Sequence, residues 1–152
     1  MIQRIPFIAA HLELLDPDPQ AGARVAALAA KNAAGRGKGV SWIDANGVVL
    51  LSGGYVERGP NVYWLWLVPS RRGSRILLRL VRIFEAWVAV VEAPARFEAV
   101  ILEGFSEGER LIELLGFRRE TGVAMRRWDG EKDYHLYSRV KRDAAPNTIQ
   151  AR

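Results

Sequence analysis

Apolar and polar positions along this chain switch between two periods, and each switch marks an element. Ile2 to Pro6 reads as a short strand, and Phe7, Ile8, Leu12 and Leu15 then recur at helical spacing until Asp16-Pro17-Asp18-Pro19 ends the run. A second helix is expected from Pro19 or Gln20 to about Asn32, with proline at its start and an alanine-rich interior. Gly35-Arg-Gly-Lys-Gly39 follows as a loop. It is rich enough in glycine to cradle an anion but has no following helix to supply amide donors.

The pattern then changes to strands. Val40 to Ala45 and Val48 to Leu51 flank Asn46-Gly47, which fits a two-residue type I′ hairpin. Arg58-Gly-Pro-Asn61 makes the next turn. Val62 to Val68 is a strand of β-branched and aromatic residues that stops at Pro69 and belongs near the sheet centre.

Helical spacing returns after Arg71-Arg-Gly-Ser-Arg75. Ile76, Leu77, Leu80, Ile83, Phe84, Trp87, Val88 and Val91 form one wide stripe, and Arg72, Arg75, Arg79 and Arg82 fall on the other face. Pro94 closes that region, and Phe97 to Leu102 is a further strand. Ser106 and Glu109 have capping-box spacing before a short helix, and Gly116 can stop that helix in a left-handed conformation. Phe117 to about Trp128, a turn at Asp129-Gly130, and Tyr134 to Val140 read as a closing hairpin. Residues 143–152 have no periodicity and are expected to fray as a tail behind one domain of residues 1–142.

Composition adds limits. With 152 residues, 49% of them hydrophobic and 26% charged, the chain is long enough for one compact domain with a core of its own. It has no cysteine, which removes disulfides, thiolate metal sites and cysteine nucleophiles together. The N-terminal residues do not form a signal peptide, and Ile76 to Val91 is interrupted by Arg79, Arg82 and Glu85 and cannot span a bilayer. A soluble protein without membrane contact is expected. The net charge of +5 gathers at Arg71 to Arg82 and at Arg139 to Arg142. No helix-turn-helix, zinc finger or RNA-binding aromatic motif accompanies it, so the basic residues read as solvated surface, and nucleic-acid binding stands only as a third reading.

His11 and His135 have no carboxylate at ligand spacing, so no metal site is expected. Trp42, Trp64, Trp66, Trp87 and Trp128 fall at strand and helix spacing, which places them in the core, with a ligand cage as the alternative.

The order of elements, with Leu111-Ile-Glu-Leu-Leu-Gly-Phe117 as an aliphatic helix ending in Gly-Phe, resembles the GNAT acyltransferase superfamily. Gly53-Gly-Tyr-Val-Glu-Arg-Gly-Pro60 followed by Trp64-Leu-Trp66 is similar to its phage branch of small GNAT-like and internal-virion-like proteins. The resemblance implies an α/β (α+β) fold, with a mixed central sheet of about six or seven strands flanked by about four helices. It also implies an acetyl-CoA site at the end of the central strand and the loop after it, made by Leu67, Val68, Arg71, Arg72, Gly73, Ser74 and Arg75. Arg72 and Gly73 match the family's loop, whereas Arg75 and Leu77 stand where it has small residues. The arginine side chains are the alternative phosphate ligands. Glu57 is the candidate base, because Tyr63, Trp64 and Trp66 occupy the strand that often supplies one. Ile112 stands where the family often has a tyrosine that protonates the leaving thiolate.

Two functions follow from the resemblance. One is acetyl-CoA-dependent transfer to an amine-bearing acceptor. The other is a non-catalytic role beside phage structural proteins in a virion or its assembly. The corresponding locations are the cytoplasm of a host cell or the particle itself.

Overall fold

A computed structural model describes residues 1–15 and 37–143. In chain order these form β1 (Gln3–Pro6), α1 (Ala10–Leu14), β2 (Gly37–Ile43), β3 (Val49–Gly59) and β4 (Val62–Pro69). A 3₁₀ turn (Gly73–Ile76) then leads into α2 (Leu77–Val90), β5 (Ala95–Leu102), α3 (Ser106–Leu114), β6 (Arg118–Arg119) and β7 (Tyr134–Lys141). The seven strands make one sheet in the order β1-β2-β3-β4-β5-β7-β6, and β4 with β5 is its parallel pair. The result is one α/β domain with a mixed sheet, with β4 in the middle as its apolar sequence requires.

Alternation along the strands divides the core between two faces. On one face, Phe84 and Val88 of α2 pack with Phe97 and Ala99 of β5, Ile112 of α3, Leu115, Phe117 and Tyr137. On the other, Trp64, Trp66 and Val68 of β4 pack with Leu15 and Tyr134. A third cluster of Trp42, Leu50, Leu51 and Ile76 ties the 3₁₀ turn to the β2–β3 hairpin. Each large apolar side chain buried this way contributes about 1.5–3 kcal/mol. Trp42, Trp64 and Trp66 are buried, so the tryptophans on strands are core.

Several elements differ from the sequence pattern for local reasons. The helix expected through Phe7 and Leu15 closes only over Ala10–Leu14. The expected second helix, from Pro19 or Gln20 to about Asn32, and the tail after residue 143 lie outside the described residues. Gly37, Lys38 and Gly39, expected in a loop, pair with Val56, Tyr55 and Gly54 as the start of β2. The Asn46-Gly47 turn is one residue longer than a two-residue hairpin. Asp44 N–H donates to the Val48 carbonyl at 3.0 Å, and Asp44 Oδ1 accepts from the N–H groups of Asn46 at 2.8 Å and Val48 at 3.0 Å. Gly47 supplies the left-handed residue of this three-residue loop, at φ +77°.

Ser106 does not cap α3. Gly104, at φ +79°, turns the chain so that the Phe105 carbonyl accepts the first helical bond from Glu109 N–H at 3.0 Å. Phe105 is therefore the N-cap, and Ser106 is already inside the helix. The far end matches expectation. Gly116 is left-handed at φ +78°, Phe117 N–H reaches the Ile112 carbonyl at 3.2 Å, and Gly116 N–H reaches that of Glu113 at 2.9 Å. After it, the strand expected to run to Trp128 keeps only two residues. The Thr121 hydroxyl takes Leu136 N–H at 3.1 Å and the chain leaves the sheet, returning at a single bridge between Met125 and Tyr134. β7 then lies between β5 and β6.

Candidate functional site

The parallel pair at the sheet centre is short. β4 and β5 are in register only over Val62–Trp64 and Arg96–Glu98, and beyond that point they separate. Because peptide groups alternate direction along a strand, the acceptance of Arg96 N–H by the Asn61 carbonyl at 2.9 Å sets the direction for the whole of β4. Tyr63, Leu65 and Leu67 turn their N–H and C=O groups toward β5. The Trp64–Glu98 register uses the Leu65 N–H, and the separation leaves the Leu65 C=O and both polar groups of Leu67 unpaired with β5.

A cavity of about 350 Å³ opens where the strands part. α2 walls it with Leu80, Ile83 and Trp87, and α3 with Gly108, Leu111 and Ile112. Gly108 permits close docking of α3, since a Cβ there would stand 2.5 Å from the Phe105 ring and 3.2 Å from Ile101 Cγ2. Arg139 braces the two helical walls. Its guanidinium donates to the Leu115 carbonyl at 2.8 Å and to Glu85 Oε2 at 3.0 Å, and lies over the Phe84 ring. That pairing holds the Glu85 carboxyl below its ordinary value through the Arg139 hydrogen bond, against partial burial. The slot is thus held open by packing and ion pairs, with unpaired peptide groups along one edge of an otherwise apolar wall.

At the mouth, β4 ends at Pro69. The Ser70 N–H donates to the Leu50 carbonyl at 2.9 Å, its carbonyl accepts from Gly73 N–H at 2.8 Å, and its Oγ accepts from Arg72 N–H at 3.2 Å. A Cβ on Gly73 would meet the Leu50 carbonyl oxygen at 2.5 Å, so the turn between β4 and α2 closes only with glycine. Arg71 and Arg72 are exposed at this turn, and the side chains of Ser74 and Arg75 lie outside the described residues. Leu67 and Leu77 line the cavity, whereas Val68 points to the other face and is buried in its core.

Glu57 is elsewhere. It pairs with Tyr63 at the closed end of the separation, is exposed, and is not among the residues lining the cavity. Its carboxylate acts on Tyr63, whose phenol is pushed above its usual value first by burial and then by Glu57. Ile112 is buried and lines the cavity, so the position of the frequent tyrosine is occupied by hydrocarbon facing the slot.

Sequence reasoning missed Glu98, which pairs with Trp64 at the last register position before the strands part. Glu98 accepts from Arg96 Nε at 2.7 Å, and Arg96 also donates to both oxygens of Glu120 at 2.9 and 2.7 Å. Only the pairing of β5 with β4 could have revealed it, and that pairing carries no local sequence signal.

The histidines have structural partners. His11 Nδ1 accepts from Ile8 N–H at 3.3 Å and lies 2.9 Å from Ser41 Oγ, which is 2.7 Å from Ser52 Oγ in a buried chain. His135 contacts Arg119 and Thr121, each at 3.1 Å. Among the described residues no cluster of His, Cys, Asp and Glu could hold a metal, and no helix is long and apolar enough to cross a membrane.

No protein-family model matches the sequence, and no curated protein matches it. Solved structures do match the fold. A phosphinothricin acetyltransferase of the GNAT superfamily from Sinorhizobium meliloti, in complex with AcCoA, superposes with a TM-score of 0.63 at 16% identity, over 95% of this chain and 90% of its own. A ribosomal-protein-S5-alanine acetyltransferase from Vibrio fischeri gives 0.62 at 15% identity, over 95% and 96%. The spermidine N-acetyltransferase of Vibrio cholerae, in complex with CoA and spermine, gives 0.61 at 9% identity, over 91% and 95%. The chain has the fold of the GNAT-superfamily acetyltransferases.

Proposed function

We propose that this protein is an N-acyltransferase that takes an acyl group from a CoA thioester, acetyl-CoA being the simplest, and passes it to an amine. The observation that carries the reading is the row of peptide groups at Leu65 and Leu67 that β5 leaves unpaired, along an apolar cavity between α2 and α3. Orphan peptide groups in hydrocarbon are costly, and a ligand arm that itself carries amides satisfies them. The pantetheine arm of CoA has that chemistry, and the exposed Arg71 and Arg72 at the mouth suit its phosphates. The bound thioester supplies an activated acyl carbon.

The residues of the chain do the remainder. Leu65 and Leu67 align the arm, α2 and α3 exclude water, and Arg72 holds negative charge at the entrance. With Ile112 facing the slot, no side-chain acid stands at that position. Positioning of the amine against the acyl carbon therefore provides most of the acceleration. Glu57 remains the proposed base, reached through water, because it lies outside the cavity. The test is release of free thiol from acetyl-CoA with spermidine, phosphinothricin and an alanine-ended peptide, the acceptors named for the structural neighbours. Release above the protein-free rate with any of them supports the reading. Release at the protein-free rate with all three contradicts it.

Ile112 in the slot and Glu57 outside it favour a second reading, a non-catalytic protein of a phage particle or its assembly. Mass spectrometry of purified particles that lack the chain would contradict that role. Electrostatic nucleic-acid binding is the third reading, and a salt-independent binding constant would dispose of it.

A further inference from the structure

The outward face of α2 carries charge that the slot does not use. From Ser70 to Phe84 the chain has five arginines, Arg71, Arg72, Arg75, Arg79 and Arg82, and no acidic residue. Arg79 and Arg82 are exposed and make no hydrogen bond or ion pair among the described residues. Glu85, the first acidic residue of α2, is held instead by Arg139, whose guanidinium donates to it at 3.0 Å. Successive helical residues turn by about 100°, so Leu78 and Arg82 point about 160° away from Leu80, which lines the cavity. A ligand inside the slot leaves them uncovered.

The helix itself gains nothing from this placement. A helix N-terminus favours anionic side chains, yet α2 has no acidic residue in its first turn, and Arg79 and Arg82, three positions apart, repel each other. Leu78 is 74% exposed and lies one turn from Arg82. An exposed leucine bordered by arginines has the make-up of a protein-docking patch, an apolar centre with a charged rim. The patch adjoins the mouth: Arg79 and Arg82 lie about 3 and about 8 Å along the axis from the start of α2, beyond the turn that holds Arg71 and Arg72.

We propose that the acyl donor is borne by a protein, a small acidic carrier whose phosphopantetheine arm enters the slot while its acidic surface docks on Leu78, Arg79 and Arg82. The proposal rests on the N-acyltransferase reading and names the source of its thioester. CoA and such a carrier present the same pantetheine thioester to Leu65 and Leu67, but only the carrier also covers the outer face of α2. In the reaction, the amine nitrogen attacks the thioester carbonyl carbon, a C–N bond forms and the C–S bond breaks. The carrier's thiolate takes up the proton that the nitrogen loses, so the products are the amide and a carrier with a free thiol. Opposite charge on the two surfaces steers the encounter and makes it sensitive to salt.

The test is calorimetric titration of the full chain with acetyl-CoA, with an acyl carrier protein acetylated on its phosphopantetheine, and with a single-stranded oligonucleotide, each at low and at physiological salt. The series is repeated with Arg79→Glu and Arg82→Glu combined, and acetyl-CoA binding by that variant reports that it is folded. The acetylated carrier is expected to bind at least about tenfold more tightly than acetyl-CoA at low salt, with a preference that shrinks as salt rises. The double variant should lose that preference while its acetyl-CoA affinity stays within about twofold. Carrier binding no tighter than that of acetyl-CoA overturns the proposal and leaves the N-acyltransferase reading intact. A carrier preference that the folded variant keeps in full overturns the docking surface. Oligonucleotide binding as tight as that of the carrier, lost in the same variant, makes the patch a general polyanion surface and overturns the carrier as its partner. Failure of both thioesters to bind overturns the proposal and the reading together.

Discussion

Replacing Gly73 with alanine tests whether the turn at the mouth is as tightly built as its geometry indicates. The new Cβ would lie 2.5 Å from the Leu50 carbonyl oxygen and 3.7 Å from Pro69 Cβ. The first contact is with backbone, so no rotamer change relieves it. The turn must move by about 1 Å to reach ordinary contact, and overpacking of that kind costs about 1–3 kcal/mol. The movement also stretches the 2.9 Å bond from Ser70 N–H to the same Leu50 oxygen, for about 1 kcal/mol more. A loss of about 2–4 kcal/mol in a domain of this size lowers Tm by roughly 4–16 °C. Gly122→Ala is the control, since nothing lies within 4 Å of its Cβ position, and it should leave Tm unchanged or slightly raised. The assay is a thermal melt of the three proteins side by side. A Tm for Gly73→Ala within about 2 °C of wild type would refute the claim that β3 fixes this turn.

Lys141→Met should destabilise the domain by about 2 kcal/mol, read as a lower denaturant midpoint at unchanged slope. The lysine Nζ donates to the carbonyls of Val88 at 2.9 Å, Ala89 at 3.0 Å and Val91 at 2.6 Å, where it satisfies and neutralises the C-terminus of α2. Acid should weaken the fold through Glu120, whose carboxyl is held below its ordinary value first by the Arg96 hydrogen bond and then by that of Ser138. A depressed folded-state value means the contribution is whole above the unfolded value near 4.5 and is lost as pH falls through the lower folded one. Glu120→Gln should flatten the fall of Tm below about pH 4.5, and an unchanged acid slope would contradict that assignment.

Much of the fold was legible because its signals are local. The period of apolar residues located β4 and α2, and Gly116 announced a left-handed stop that the structure places at φ +78°. Errors occurred where a tertiary contact outweighs local chemistry. Ser106 and Glu109 have the right spacing for a capping box, but the turn at Gly104 starts the helix one residue earlier. Phe117 to about Trp128 looks like a strand, yet the Thr121 hydroxyl takes a bond that a continuing ladder would need. The site follows the same division. Leu67, Arg72 and Gly73 were marked in the sequence through a family resemblance; Leu67 lines the cavity, and Arg72 and Gly73 lie in the turn after β4. The cavity itself depends on how far β4 and β5 stay paired and on the register that puts Gly53 beside Leu67. Those are properties of residues far apart in the chain, so nothing local announces them.

Calorimetric titration of the protein with acetyl-CoA asks whether the slot between β4 and β5 is a CoA site. The expected result is saturable binding at one site per chain, weakened by Arg72→Ala and by rising salt, because in the proposed pose the arm pairs with Leu65 and Leu67 while the phosphates meet the arginines at the mouth. No heat of binding at millimolar acetyl-CoA would contradict it.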